Sequence, residues 1–106
     1  MRPPRRGDVW LAQLDKVRPV IILTRDPMGR LLHAVVTAPV TSTVRGLSTE
    51  VPVGPADGIR LPSVANLDQV QLVARSRLVR RVGRARPETM AALCHALAVT
   101  VACDRR

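Results

Sequence analysis

His33, His95, Cys94 and Cys103 are the side chains whose ordinary pKa values best suit proton transfer or nucleophilic attack near neutral pH, yet their spacing assembles no site. The cysteines lie nine residues apart, with no second pair and no histidine at a zinc-binding spacing. They read as ordinary thiols rather than as a disulfide or a metal centre. His95 falls about 200° around a helix from Leu93, off the apolar face. The charge is more informative. Seventeen basic residues against 8 acidic ones give a net charge of +9, and Lys16 is the only lysine. A field of that sign favours a polyanion or an acidic protein as partner. Arg75, Arg77, Arg80, Arg81, Arg84 and Arg86 form an acid-free run able to follow phosphates. Trp10 is the sole aromatic residue, which excludes the ring platforms on which many RNA-binding modules stack bases. Any base recognition would rest on hydrogen bonds and arginine stacking.

A chain of 106 residues holds one domain with a thin core, so residues 1–106 are expected to fold as a single unit and to gain from self-association. No apolar run approaches the roughly 20 residues of a bilayer span, and no secretory signal follows the basic leader at 1–6. A cytoplasmic protein without membrane contact is expected. Asp8 to Leu14 reads as a first strand, and the continuous run Val20-Ile21-Ile22-Leu23 marks a second that is buried on both faces. Leu31 to Thr41 alternates with period two, placing Leu32, Ala34, Val36, Ala38 and Val40 on one apolar face. A short strand at Thr49 to Val53 and a last one around Gln69 to Val73 complete a mainly β reading of about five to six short antiparallel strands, suited to a small barrel. Pro87 and Glu88 then open a C-terminal helix over 87–101, with Met90, Leu93, Cys94, Leu97, Ala98 and Val101 as its apolar stripe.

Several short motifs recur in one order: Arg6-Gly7-Asp8-Val9-Trp10, Arg18-Pro19-Val20-Ile21-Ile22-Leu23, Ala38-Pro39-Val40-Thr41, Ser63-Val64, Asp68-Gln69-Val70, and Arg77-Leu78 through Gly83. Each alone is common. Together they resemble the MazF/PemK toxins of type II toxin–antitoxin systems, from about Arg6 to the end of the helix. Only Asp15, Lys16 and Val17 separate Leu14 from Arg18, where most relatives carry a longer glycine-rich loop, so the likeness is to a subset with a short first loop. The resemblance implies a homodimeric SH3-like barrel with a C-terminal helix. It also implies a sequence-selective endoribonuclease without a metal cofactor that leaves a 2′,3′-cyclic phosphate and a 5′-hydroxyl, and a cognate acidic antitoxin as partner. Arg18 and Thr41 match the catalytic arginine and threonine. RNA contacts are implied at Asp68 and Gln69, which would lie on the final strand, and at Gln13, Lys16, Ser42, Thr43 and Arg45.

Those residue types suit the implied chemistry. Cleavage by the ribose 2′-hydroxyl needs a proton removed, charge stabilised on the phosphorane, and a proton supplied to the leaving 5′-oxygen. Arg18 can offer a forked permanent cation to the phosphorane oxygens, and Thr41 a hydroxyl donor. A carboxylate at Asp68 and an amide at Gln69 can read base edges. The histidines fit poorly, since eight residues of strand set His33 about 26 Å from Thr41. Two other readings stay open on the sequence: a non-enzymatic gyrase poison of the CcdB-like kind, and a plain basic RNA-binding module.

Overall fold

The computed structural model describes residues 3–102. Cys103 and the first two residues of the basic leader lie outside them. The first hairpin joins β1 (Asp8–Gln13) to β2 (Val17–Ile22) in antiparallel register, from Val9 opposite Ile21 to Gln13 opposite Val17. β3 (Ala34–Thr41) pairs with β2 on one edge. On its other edge its first half meets β6 (Gln71–Ala74) and its end meets β5 (Ser63–Asn66). β4 (Glu50–Val53) lies outside β5, and β7 (Leu78–Arg84) lies outside β1. The sheet therefore has seven strands in the order β4-β5-β3-β2-β1-β7, with β6 beside β3. A single helix, α1 (Pro87–Val101), follows and packs on β4. Among the described residues no helix is long and apolar enough to cross a membrane.

The sequence patterns explain this arrangement because successive side chains on a strand face opposite sides. Val9, Ile21, Ala38 and Val40 enter one buried cluster beneath α1, where Leu93 and Ala96 meet them. Trp10, Ala12, Val20, Ile22 and Val35 enter a second cluster on the other face, with Val73 and Leu78. Val20, Ile21 and Ile22 are accordingly all buried, as a continuous apolar run requires of a strand covered on both sides.

Several expectations are corrected. Leu31 to His33 lie outside β3 and are exposed, because a 3-10 turn at Met28–Arg30 carries the chain to the strand. Within β3 the buried set changes faces: Val35 and Thr37 are buried in the first half, Ala38 and Val40 in the second, and Val36 is exposed. Residues 63–75 form two strands, separated by a 3-10 turn at Leu67–Gln69 that holds Asp68 and Gln69, which are therefore not on the final strand. The final strand is β7, inside the arginine run. On α1 the fully buried residues are Thr89, Leu93 and Ala96, whereas Cys94 and Val101 are exposed.

Two buried carboxylates tie the arginine-rich segment to the rest. Asp8 accepts from the guanidinium groups of Arg81 and Arg84, each at 3.1 Å, and from the Arg5 amide at 2.9 Å. Asp57 accepts from the Thr89 hydroxyl at 2.8 Å and from the Arg86 amide at 2.9 Å, which turns the start of α1 inward. Burial is the largest influence on each carboxyl and pushes it up, but the hydrogen bonds together outweigh burial and hold both below the ordinary 3.8. A pKa lower in the folded than in the unfolded state contributes stability above the unfolded value and loses it as pH falls through the folded one. Thermal unfolding followed by circular dichroism should therefore show a lower melting temperature at about pH 3 than at about pH 6. An unchanged melting temperature across that interval would contradict the two clamps.

Candidate active site

The short turn after β1 and the ends of β2 and β3 converge at one end of the sheet. Ile22 pairs with Thr37 and Val20 with Pro39, so the same register continued by two residues sets Arg18 opposite Thr41. Both point to the face that buries Trp10, Val20 and Val35. There they line a cleft of about 720 Å³ with Asp15, Pro39, Arg45, Asn66, Asp68, Gln69 and Gln71. A second cleft of about 550 Å³ shares Arg18, Val40 and Thr41 with the first and is lined by Lys16, Ser42, Arg60 and Arg80 as well. The two hollows meet at the Arg18 and Thr41 pair, and no carboxylate lines the second. Four cations beside it make that cleft the more electropositive of the two.

The hydrogen bonds define what each side chain can do. Arg18 donates from Nε to Asp15 Oδ1 at 3.0 Å and from Nη2 to Asp15 Oδ2 at 3.2 Å, a two-pronged pair inside the turn. That pair draws the Asp15 carboxyl down to about 2, with help from the Lys16 amide, and raises Arg18 above its already high value. Both groups are fully ionised at neutral pH. The Thr41 hydroxyl accepts from the Thr43 amide at 3.1 Å, which leaves its own hydrogen to be donated into the cleft. Asp68 is partly committed: its carboxylate accepts a hydrogen bond from the Thr49 hydroxyl, and its amide donates to Asn66 Oδ1 at 2.9 Å. The arrangement suits a ligand with anionic oxygens at its centre and polar edges to either side.

The family model described as PemK-like, MazF-like toxin of type II toxin–antitoxin system matches residues 5–101. The chain belongs to the PemK/MazF family. It is 42% identical over 105 residues to the probable endoribonuclease MazF5 of Mycobacterium tuberculosis, covering 96% of both proteins. It is 47% identical over 83 residues to the endoribonuclease MazF3 of the same species, covering 78% of this chain and 76% of the relative. Among solved structures, the Mycobacterium tuberculosis toxin MazF-mt6 superposes with a TM-score of 0.85 at 40% identity, covering 95% of this chain and 97% of the other. A mycobacterial endoribonuclease in complex with its cognate antitoxin does so with a TM-score of 0.85 at 29% identity, covering 93% and 95%.

Against this PemK/MazF background, Arg18, Thr41, Arg45, Asp68 and Gln69 come together around the first cleft, and Lys16 and Ser42 around the second. Gln13 and Thr43 line neither. The Gln13 carbonyl accepts from Arg77 at 3.1 Å, and the Thr43 amide is engaged with Thr41. Both histidines are exposed and line neither cleft. Sequence reasoning did not single out Asp15, Asn66, Arg60 or Gln71. Asp15 alone left a signal, a carboxylate three residues before the arginine in a turn too short to carry it elsewhere. The other three are brought in by strand pairing and the loop after β4.

Proposed function

We propose that this chain is the toxin of a type II toxin–antitoxin pair, a cytoplasmic endoribonuclease that cuts single-stranded RNA and arrests growth, and that residues 1–106 form one such domain. Its sheet curls into an SH3-like barrel, a reading supported by the loop after β4 pressing Gly58 onto Gly83 of β7, which draws the two ends of the strand order together. Two copies form the working dimer. An acidic antitoxin that folds on binding suits the +9 charge. Structural neighbours solved with an antitoxin support that partner.

In the reaction, the 2′-oxygen of the ribose bonds to phosphorus while the bond to the 5′-oxygen breaks. One proton leaves the 2′-hydroxyl and one arrives at the 5′-oxygen, so no water enters this step. The products are a 2′,3′-cyclic phosphate and a 5′-hydroxyl. Arg18 neutralises charge on the phosphorane, and Thr41 donates its free hydrogen to a non-bridging oxygen. Gln69 and the uncommitted edge of Asp68 read bases in the first cleft, together with Arg45. Lys16, Arg60 and Arg80 hold backbone phosphates along the second, with Ser42 beside them. Gln13 and Thr43 support the turns that carry Arg18 and Thr41.

The observation that carries this reading is the meeting of Arg18 and Thr41 at the junction of both clefts, in a chain whose relatives are named endoribonucleases. Incubation with long RNA in excess chelator is expected to give discrete fragments. RNA left intact would overturn the reading, in favour of a gyrase poison if gyrase is inhibited, or of a binding module if RNA is merely retained.

A further inference from the structure

Asp15 sits in the three-residue turn between β1 and β2, opposite no strand and with its side chain largely in solvent. Its carboxylate nevertheless accepts three hydrogen bonds. Oδ1 accepts from the Lys16 amide at 3.0 Å and from Arg18 Nε at 3.0 Å, while Oδ2 accepts from Arg18 Nη2 at 3.2 Å. The carboxylate thus occupies the side edge of the guanidinium. A guanidinium carries five N–H donors, so both hydrogens on Nη1 and one on Nη2 remain, and one from each nitrogen forms its end edge. Asp15 and Arg18 line the same cleft as Thr41.

We infer that Asp15 is a positioning residue for the reaction proposed above, holding the Arg18 guanidinium by its side edge so that its end edge faces the scissile phosphate. The inference rests on the ribonuclease reading and goes beyond it. An arginine on four rotatable bonds at a strand end would otherwise sample many orientations. A donor already fixed where charge develops needs no reorganisation in the transition state, and misplacement by about 1 Å can cost up to 10²-fold in rate. The tight turn supplies the restraint. The side-edge hold is anchored by the Lys16 amide, so the carboxylate cannot follow the guanidinium into solvent without losing a backbone hydrogen bond. Asp15 is therefore expected to act on the chemical step more than on RNA affinity. In this chain the short turn sets that carboxylate three residues before the arginine, within reach of its side edge.

The test compares wild type, Asp15→Asn, Arg18→Ala and the double variant on a short RNA that contains a linkage the wild type cuts. Asparagine keeps the size and the acceptor for the Lys16 amide, but it loses the charge and one of the two acceptors facing Arg18. Asp15→Asn should lower kcat about 10-fold, leave KM within about 2-fold and leave the melting temperature unchanged. In the Arg18→Ala background the same substitution should have no further effect, since the group it positions is gone. An Asp15→Asn variant as fast as wild type, or faster, would overturn the inference, as would equal losses with and without Arg18. Those outcomes leave the ribonuclease reading standing. It fails separately, taking the inference with it, only if the wild type cuts no RNA.

Discussion

Replacing Arg18 with alanine is expected to slow RNA cleavage by about 10³-fold while leaving the protein folded, because the substitution removes a charged donor from the centre of the proposed site and nothing from either core. The guanidinium is over a third exposed and its partner Asp15 more so, so the ion pair between them contributes little to folding. The loss should fall chiefly on kcat. Under the proposed reading, phosphates in the second cleft would still meet Lys16, Arg60 and Arg80 once Arg18 is gone. Single-turnover cleavage of one RNA by both proteins, beside their melting curves, measures both halves of the expectation. An alanine variant that cuts within about 10-fold of wild type would remove Arg18 from the chemistry.

A large effect on stability is expected at Gly58. Its φ of +84° lies in the left-handed region, and a Cβ built there would stand 2.6 Å from the Cα of Gly83 and 3.1 Å from the carbonyl oxygen of Val82. Gly83 has the reciprocal problem, 2.6 Å from the Gly58 Cα. Backbone meets backbone, so no side-chain rotation relieves the contact. Strain at positive φ and overpacking each cost about 1–3 kcal/mol, and Gly58→Ala should therefore destabilise by about 3 kcal/mol or more. In a domain of this size that lowers the melting temperature by roughly 15 °C. Gly46→Ala is the control. Gly46 also has a positive φ, +77°, but nothing lies within 4 Å of the added Cβ, so only the conformational cost of about 1 kcal/mol applies. Equal losses at the two positions would show that the contact between the loop after β4 and β7 is not tight.

The mainly antiparallel sheet and its closing helix are legible in the sequence because most elements follow one simple pattern. Val20, Ile21 and Ile22 are apolar without interruption and are buried on both faces, as such a run must be. β7 is hidden for the opposite reason. Arg80, Arg81 and Arg84 dominate the segment, and only the structure shows two of them drawn onto buried Asp8, which lets the strand pair with β1. Thr89 turns inward on α1 because Asp57, far off in sequence, accepts its hydroxyl hydrogen. No apolar periodicity carries that information. At the site, motif order brought attention to Arg18 and Thr41, and their meeting follows from the register between β2 and β3. Arg60 and Asn66 reach the clefts through loop geometry and strand pairing, which local sequence does not encode.

In the proposed reaction the ribose supplies its own nucleophile between Arg18 and Thr41. The most direct measurement is the chemistry of the ends in the chelator-treated digest described above, read by selective labelling of 5′ ends and by sensitivity of the 3′ ends to opening of a cyclic phosphate. Attack by the 2′-oxygen is expected to leave 5′-hydroxyl ends that label without prior phosphatase and 3′ ends that carry a 2′,3′-cyclic phosphate. Fragments with 5′-phosphate and free 3′-hydroxyl ends would mean that water, not the 2′-oxygen, attacked phosphorus, and would contradict it.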